Sequence, residues 1–262
     1  LSPKKPDAGE ALHIKAVSID QPMDSLRLVK PDGSFREIRT DVRGGPPFSL
    51  TGEVQSFETA SMTLRAYQND QEIGCLSLDE SDPESHNDRE WSQAMEAYYA
   101  AWIEQLFDAP VDQELSFRSL EPVLRDENRN FLFNHLGVGE DVRLPATPDC
   151  ADLPYFLRSY FAWKIGLPIG YRSCDRGSSQ RPPRCGPATF EDRFTGGGIG
   201  ASGFIQFSRK LNDTVHSGSA RTALDDDATD FYPVSLDRRT LWPGTVYACL
   251  LYTSDAADDT PC

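Results

Sequence analysis

"DCADLPYFLRSYFAWKIGLP" (Asp149–Pro168) is the stretch that decides how this chain folds. Leu153, Phe156, Leu157, Tyr160, Phe161 and Ile165 recur at helical spacing, which predicts a helix. Gly166 and Pro168 stop it, and Asp149 is placed to cap its start. Cys150 then falls at the helix N-terminus. Pro154 cannot donate a backbone hydrogen bond, so a distorted first turn is expected.

A cysteine at that place feels the positive end of the helix dipole and free backbone N–H groups, which favour the reactive thiolate. The same N–H groups, around 150–151, can hold the oxyanion of an acyl-transfer intermediate. The bland alternative is a small buried apolar residue. A nucleophilic Cys150 also needs a histidine base near it in space.

Upstream, residues 1–10 read as a leader or linker, and 11–80 as a small β-sandwich module. "ALHIKAVSI" is strand-like. "LRLVKPDGSFREIRT" reads as two strands about Pro31-Asp32-Gly33, and "MTLRAYQNDQEIGCLSL" repeats the pattern about Asn69-Asp70. Cys75 is expected in that module's core. A polar linker (79–88) leads into "REWSQAMEAYYAAWIEQLF", a helix with Trp91, Met95, Tyr98, Trp102 and Leu106 on one stripe. A second helix is expected over 119–136, from a Ser119 cap to Gly137.

Downstream, 172–203 reads as a long loop or lid and "SGFIQFSRKL" (202–211) as a strand. "TVHSGSART" is short and polar, and "TLWPGTVYA" (240–248) reads as a turn entering a buried strand. Helices followed by strands indicate α+β. The domain over 88–248 completes the division of the chain.

The 262 residues carry a formal net charge of −15, which argues against a nucleic-acid surface. No run is long and apolar enough to span a membrane. No cofactor motif emerges: "TGGGIG" (195–200) lacks the features of a phosphate loop. No metal site is expected, because the cysteines lack paired metal-ligand spacing. Cys174 and Cys185 bracket "DRGSSQRPPR", a loop that a disulfide can staple in an oxidising compartment.

With these residues in view, the Asp149–Leu167 stretch resembles the helix start of NlpC-like cysteine peptidases of the papain-like superfamily. "LWPGTVYA" resembles their Leu-x-Pro-Gly turn and strand. Asp152, Pro154 and Thr245 depart from that pattern. The resemblance implies an α+β papain-like domain over 88–248 with a Cys-His hydrolase or acyltransferase activity. The substrate it implies is a peptide or peptidoglycan stem peptide in the bacterial cell envelope, with the protein exported to the periplasm or cell exterior. "KIGLPIGYRS" also resembles the transglutaminase-like group of the same superfamily, which is the runner-up. A non-catalytic envelope binding module with a structural Cys150 stands as the alternative from another class.

Four histidines are present. His13 lies in the β module, His86 in the polar linker and His135 at a helix end. His216 is the only one after Cys150, so it is the candidate base, with Asp149 as the orienting group. In an NlpC-like enzyme, however, the base follows the Pro-Gly strand, beyond Ala248. There "CLLYTSDAADD" resembles the translated end of a transposon-type sequencing adapter, from Cys249 onward. Residues 249–262 are therefore read as a non-native scar. The expectation is a domain truncated before its catalytic histidine, present as an inactive fragment.

Overall fold

The computed structural model describes residues 1–4, 6, 9–55, 62–78, 90–113, 115–191, 194, 200–223 and 225–247. His86, most of "TGGGIG" and the whole 249–262 tail lie outside them. Contacts divide the chain into two units, Leu1–Phe117 with Glu121–Leu144, and Arg118–Leu120 with Pro145–Cys262. The architecture is mixed α and β with antiparallel sheets.

In the first unit, alternating apolar residues make strands because a strand turns successive side chains to opposite faces. β1 (Leu12–Ser18), β5 (Phe48–Val54) and β4 (Thr40–Arg43) form one antiparallel sheet. β3 (Phe35–Ile38), β2 (Ser25–Val29), β6 (Thr63–Gln68) and β7 (Gln71–Ser77) form a second. Leu12, Ile14 and Leu50 from one sheet and Leu26, Ile38 and Leu64 from the other share a single apolar core. The expected turns are where the sequence puts them. Asp32 accepts hydrogen bonds from Ser34 in the β2–β3 turn, at 2.9 Å from its N–H. Asn69 and Asp70 both take positive φ between β6 and β7, the backbone that a two-residue hairpin loop demands.

Cys75 departs from expectation. It is exposed on β7, opposite Arg65, rather than in the core. Residues 1–4 are not a free leader either. Ser2 exchanges backbone hydrogen bonds with His13 at 2.9 and 2.8 Å. Its hydroxyl also lies 3.2 Å from Nδ1 of the buried His135.

α1 (Gln93–Leu106) starts at Ser92, whose hydroxyl accepts from the Met95 N–H. Its Trp102 and Leu106 are buried, as the stripe predicts. The helix packs on β1, so it belongs with the β module and not with the later domain. The expected helix over 119–136 shrinks to α2 (Glu121–Leu124). Asp126, Asn128 and Asn130 explain the break, because short polar side chains compete for helix backbone groups. Asp126 Oδ1 accepts from the Asn128 N–H, Asn130 Oδ1 from the Leu132 N–H, and Asn130 Nδ2 donates to the Leu124 carbonyl. Trp102 then donates its indole N–H to Asn130 Oδ1 at 3.0 Å, tying this segment to α1.

In the second unit, α3 (Leu153–Ile165) is buried from Tyr155 to Leu157 and from Ser159 to Lys164. A helix buried on every side must be covered on every side. α4 (Ala201–Asn212) supplies part of the cover. This segment was expected to be a strand. Phe204, Phe207, Ser208 and Leu211 instead make a helical stripe, and Phe204 stacks on Trp163 at 4.4 Å. The expected 172–203 lid contains an antiparallel pair, β8 (Ile169–Cys174) and β9 (Cys185–Glu191), closed by a Cys174–Cys185 disulfide. Near the end, the Trp242–Thr245 turn is present, with the Thr245 N–H on the Trp242 carbonyl. Residues 245–247 form no strand, and Tyr247 is 87% exposed.

Lys15 of β1 is a buried cation of the first unit. Its Nζ donates to Thr51 Oγ1 at 2.8 Å and lies 5.9 Å from the Phe131 ring centre. Burial first, then Arg43, lowers its pKa to about 7, while Glu104 works in the opposite direction. The unfolded chain therefore holds this proton at higher pH than the folded one, so stability is gained as pH rises above 7. Lys15→Met should make the protein more stable at neutral pH and flatten the rise in denaturation midpoint between about pH 7 and 9. An unchanged slope would show that Lys15 is not the group responsible.

Candidate active site

Asp149 builds the site by capping. Its Oδ1 accepts from the N–H groups of Ala151 and Asp152, both at 2.8 Å, and its carbonyl accepts from the Leu153 N–H at 2.9 Å. The Asp152 carboxyl in turn takes a hydrogen bond from the Asp149 backbone N–H. This is a reciprocal capping box with Asp in both positions. Cys150 sits at the first position inside it. Pro154 has no N–H, so the Cys150 carbonyl loses its helical partner and regular α-helix begins only at Leu153.

The thiol of Cys150 is free and exposed. It lies at the end of a helix whose body is held by its buried aromatic residues. Two features cut against the expected electrostatics. The Ala151 N–H is taken by Asp149, so it is not available to an oxyanion. The Cys150 N–H remains, as one of the orphan donors of a helix start. The carboxylates of Asp149 and Asp152 also oppose the positive end of the helix. Asp152 itself is pushed above the usual carboxylate range by burial, then by Asp149 and Asp213.

His216 belongs to the same unit as Cys150 but no hydrogen bond joins them. Its ring is fully engaged elsewhere. Nε2 lies 2.9 Å from the Cys174 carbonyl, and Nδ1 accepts from the Gly218 N–H at 3.1 Å. A carbonyl can only accept and an N–H can only donate, so these bonds require the neutral ring with its proton on Nε2. Neither nitrogen is left to take a proton from Cys150. The residue instead caps a short 3₁₀ helix (Ser217–Ala220), which it fastens to the end of β8. Of the remaining histidines, His13 is on β1 and His135 is buried in the first unit.

A second cluster anchors the start of α3. Tyr155 donates its hydroxyl to Asp230 Oδ2 at 3.0 Å, and the Arg172 N–H donates to the same oxygen at 2.9 Å. The Arg172 guanidinium lies 3.7 Å from Asp230 Oδ1 and also donates to the Gly186 carbonyl. Burial, then Asp230, raises the Tyr155 pKa. Sequence reading missed this cluster because Asp230 follows an acidic run that looks solvated. The one available signal was Tyr155, a hydroxyl on an otherwise apolar helix face.

Among the described residues no group of three or more His, Cys, Asp or Glu could hold a metal ion, and no helix is long and apolar enough to cross a membrane. No protein-family model matches the chain, and comparison with curated proteins and with solved structures also finds no match.

Replacing His216 by alanine removes both ring hydrogen bonds and should cost about 1–2 kcal/mol of stability. The rate of Cys150 alkylation by iodoacetamide should not change. A slower rate in a variant shown to be folded by circular dichroism would mean that His216 acts on the thiol.

Proposed function

We propose that this chain is a thiol-dependent hydrolase acting on peptide or amide bonds, built on a papain-like domain with a β-sandwich accessory module. One observation carries the reading. Cys150 is exposed in the turn that Asp149 closes, three residues before α3, whose body is buried, so the thiol is presented to solvent beside a rigid support.

The Cys150 thiolate attacks the carbonyl carbon of the substrate, and the Cys150 N–H donates to the developing oxyanion. Collapse of the intermediate expels the amine or alcohol and leaves a thioester on Cys150, which water then hydrolyses. The base that takes the thiol proton, and gives it to the leaving group, is not His216 in this reading. It comes from outside the described residues. The Cys174–Cys185 disulfide supports an oxidising compartment, and with it a periplasmic or extracellular site of action on envelope peptides.

The transglutaminase-like reading keeps the same thioester and replaces water by an amine. It is favoured by the order of Gly166, Leu167 and Pro168 directly followed by strand β8.

Incubation with 4-nitrophenyl acetate, followed by peptide mass spectrometry, tests both. Transfer of acetyl to Cys150 with release of nitrophenol is expected, lost in Cys150→Ala and kept in Cys75→Ala. In the transglutaminase-like case, added primary amine releases the acetyl group as an amide faster than it does from the same acetyl-thioester in the urea-denatured protein. Absence of an acetyl group on Cys150, or equal acetylation of Cys75, would overturn the proposal.

A further inference from the structure

His216 is held from two sides, and one side is a disulfide. On the first side stands the 3₁₀ helix Ser217–Ala220. Its Gly218 N–H donates to Nδ1, and the His216 N–H donates to Ser219 Oγ. Ser219 is fully buried, and its hydroxyl also hydrogen-bonds to Tyr155 of α3, so this short helix is anchored in the aromatic core. On the other side, Nε2 donates to the Cys174 carbonyl at 2.9 Å. A Cβ on Gly218 would come within 2.9 Å of Nδ1 and 3.3 Å of the Asp175 carbonyl oxygen. The ring is therefore closed in between the 3₁₀ helix and the Cys174–Asp175 backbone.

That backbone is fixed by different means. Regular pairing of β8 with β9 runs from Ile169 opposite Glu191 to Arg172 opposite Ala188, and the register shifts before Cys174 meets Cys185. Beyond the shift, the Asp175 N–H donates to the Arg184 carbonyl. The Asp175 carboxylate accepts from the Gly177 and Arg184 N–H groups and from the Arg181 guanidinium, all in exposed positions. Exposed contacts of this kind contribute little. The covalent tie from Cys174 to Cys185 is the strongest restraint on the carbonyl that seats His216. Cys174 is 9% exposed but Cys185 is only half-buried, which opens the bond to attack from the β9 side.

We propose that the Cys174–Cys185 disulfide is a redox latch on His216. A thiolate of a dithiol reductant attacks Cys185 Sγ and expels the Cys174 thiolate. The second thiol of the reductant then releases Cys185, leaving two protein thiols and one oxidised, cyclic reductant. The β8 end moves off the 3₁₀ helix and Nε2 loses its acceptor. Oxidised, the unit keeps His216 as a structural cap; reduced, it presents a free imidazole. The latch does not depend on Cys150 being a nucleophile.

Carbethoxylation of histidine by diethyl pyrocarbonate, read by peptide mass spectrometry on the full chain, tests it. His216 should be modified about fivefold faster after reduction with dithiothreitol and removal of the reductant, the shift in local opening that one lost hydrogen bond allows. His13, on β1 of the other unit, is the control and should not change. Cys185→Ala without reductant should match the reduced protein, and Cys75→Ala the oxidised one. The near-UV circular dichroism of the aromatic residues packed on α3 should survive reduction. Equal His216 rates in the two states would overturn the proposal. So would loss of the near-UV signal on reduction, because the disulfide would then be a staple of the whole unit.

Discussion

The second unit is organised by the need to cover α3. From Tyr155 to Lys164 nearly every residue of this helix is buried, so no face can be left to water. Phe204 and Phe207 of α4 and Tyr171 of β8 gather on it or on one another, with Phe156, Tyr160 and Trp163 all within ring contact of Phe204. Burying rings of this size contributes roughly 1.5–3 kcal/mol each. The ends of the helix are fixed by different means. Gly166 ends it in the left-handed conformation, and the Leu167 N–H folds back to the Ala162 carbonyl. Asp149 and Asp152 close the other end, and Tyr155 is tied to Asp230 and so to β8. Cys150 inherits its position from all of these.

The same capping that places the thiol also limits it. A helix start offers free N–H groups to an anion, but here Asp149 uses those of Ala151 and Asp152. What is left for an oxyanion is the N–H of Cys150 itself. Two neighbouring carboxylates add negative charge beside a group that must become an anion. Rigidity and exposure therefore speak for a nucleophile, while local charge speaks against an especially strong one. His216 does not resolve the conflict, since both ring nitrogens serve the β8 end and the 3₁₀ helix.

How far the sequence could be read depended on whether the local signal and the tertiary outcome agreed. α3 was legible because its apolar spacing, its Asp149 cap and its Gly166 stop all pointed the same way. The two β hairpins were legible from Asp32-Gly33 and Asn69-Asp70. α4 was missed because "FIQF" looks like strand alternation in a short window, whereas Phe204, Phe207 and Leu211 form a helical stripe over a longer one. The helix expected over 119–136 failed at Asp126, Asn128 and Asn130, whose side chains bond the local backbone instead. At the site, the capping role of Asp149 and the Cys174–Cys185 pairing could be anticipated from residue type and spacing. The engagement of His216 could not, because its ring partner is a backbone carbonyl 42 residues away, and no side-chain pattern marks that.

Thiol chemistry in this protein requires Cys150 to be a presented nucleophile rather than an ordinary surface cysteine. The protein supplies its own control, because Cys75 is also free and exposed, on a strand with no helix end behind it. The most direct measurement is the ratio of iodoacetamide alkylation rates at the two residues in the same folded sample, read by peptide mass spectrometry. Cys150 should react faster, because it is presented in a turn beside a rigid helix rather than on a strand. Equal rates, or a faster Cys75, would contradict the account.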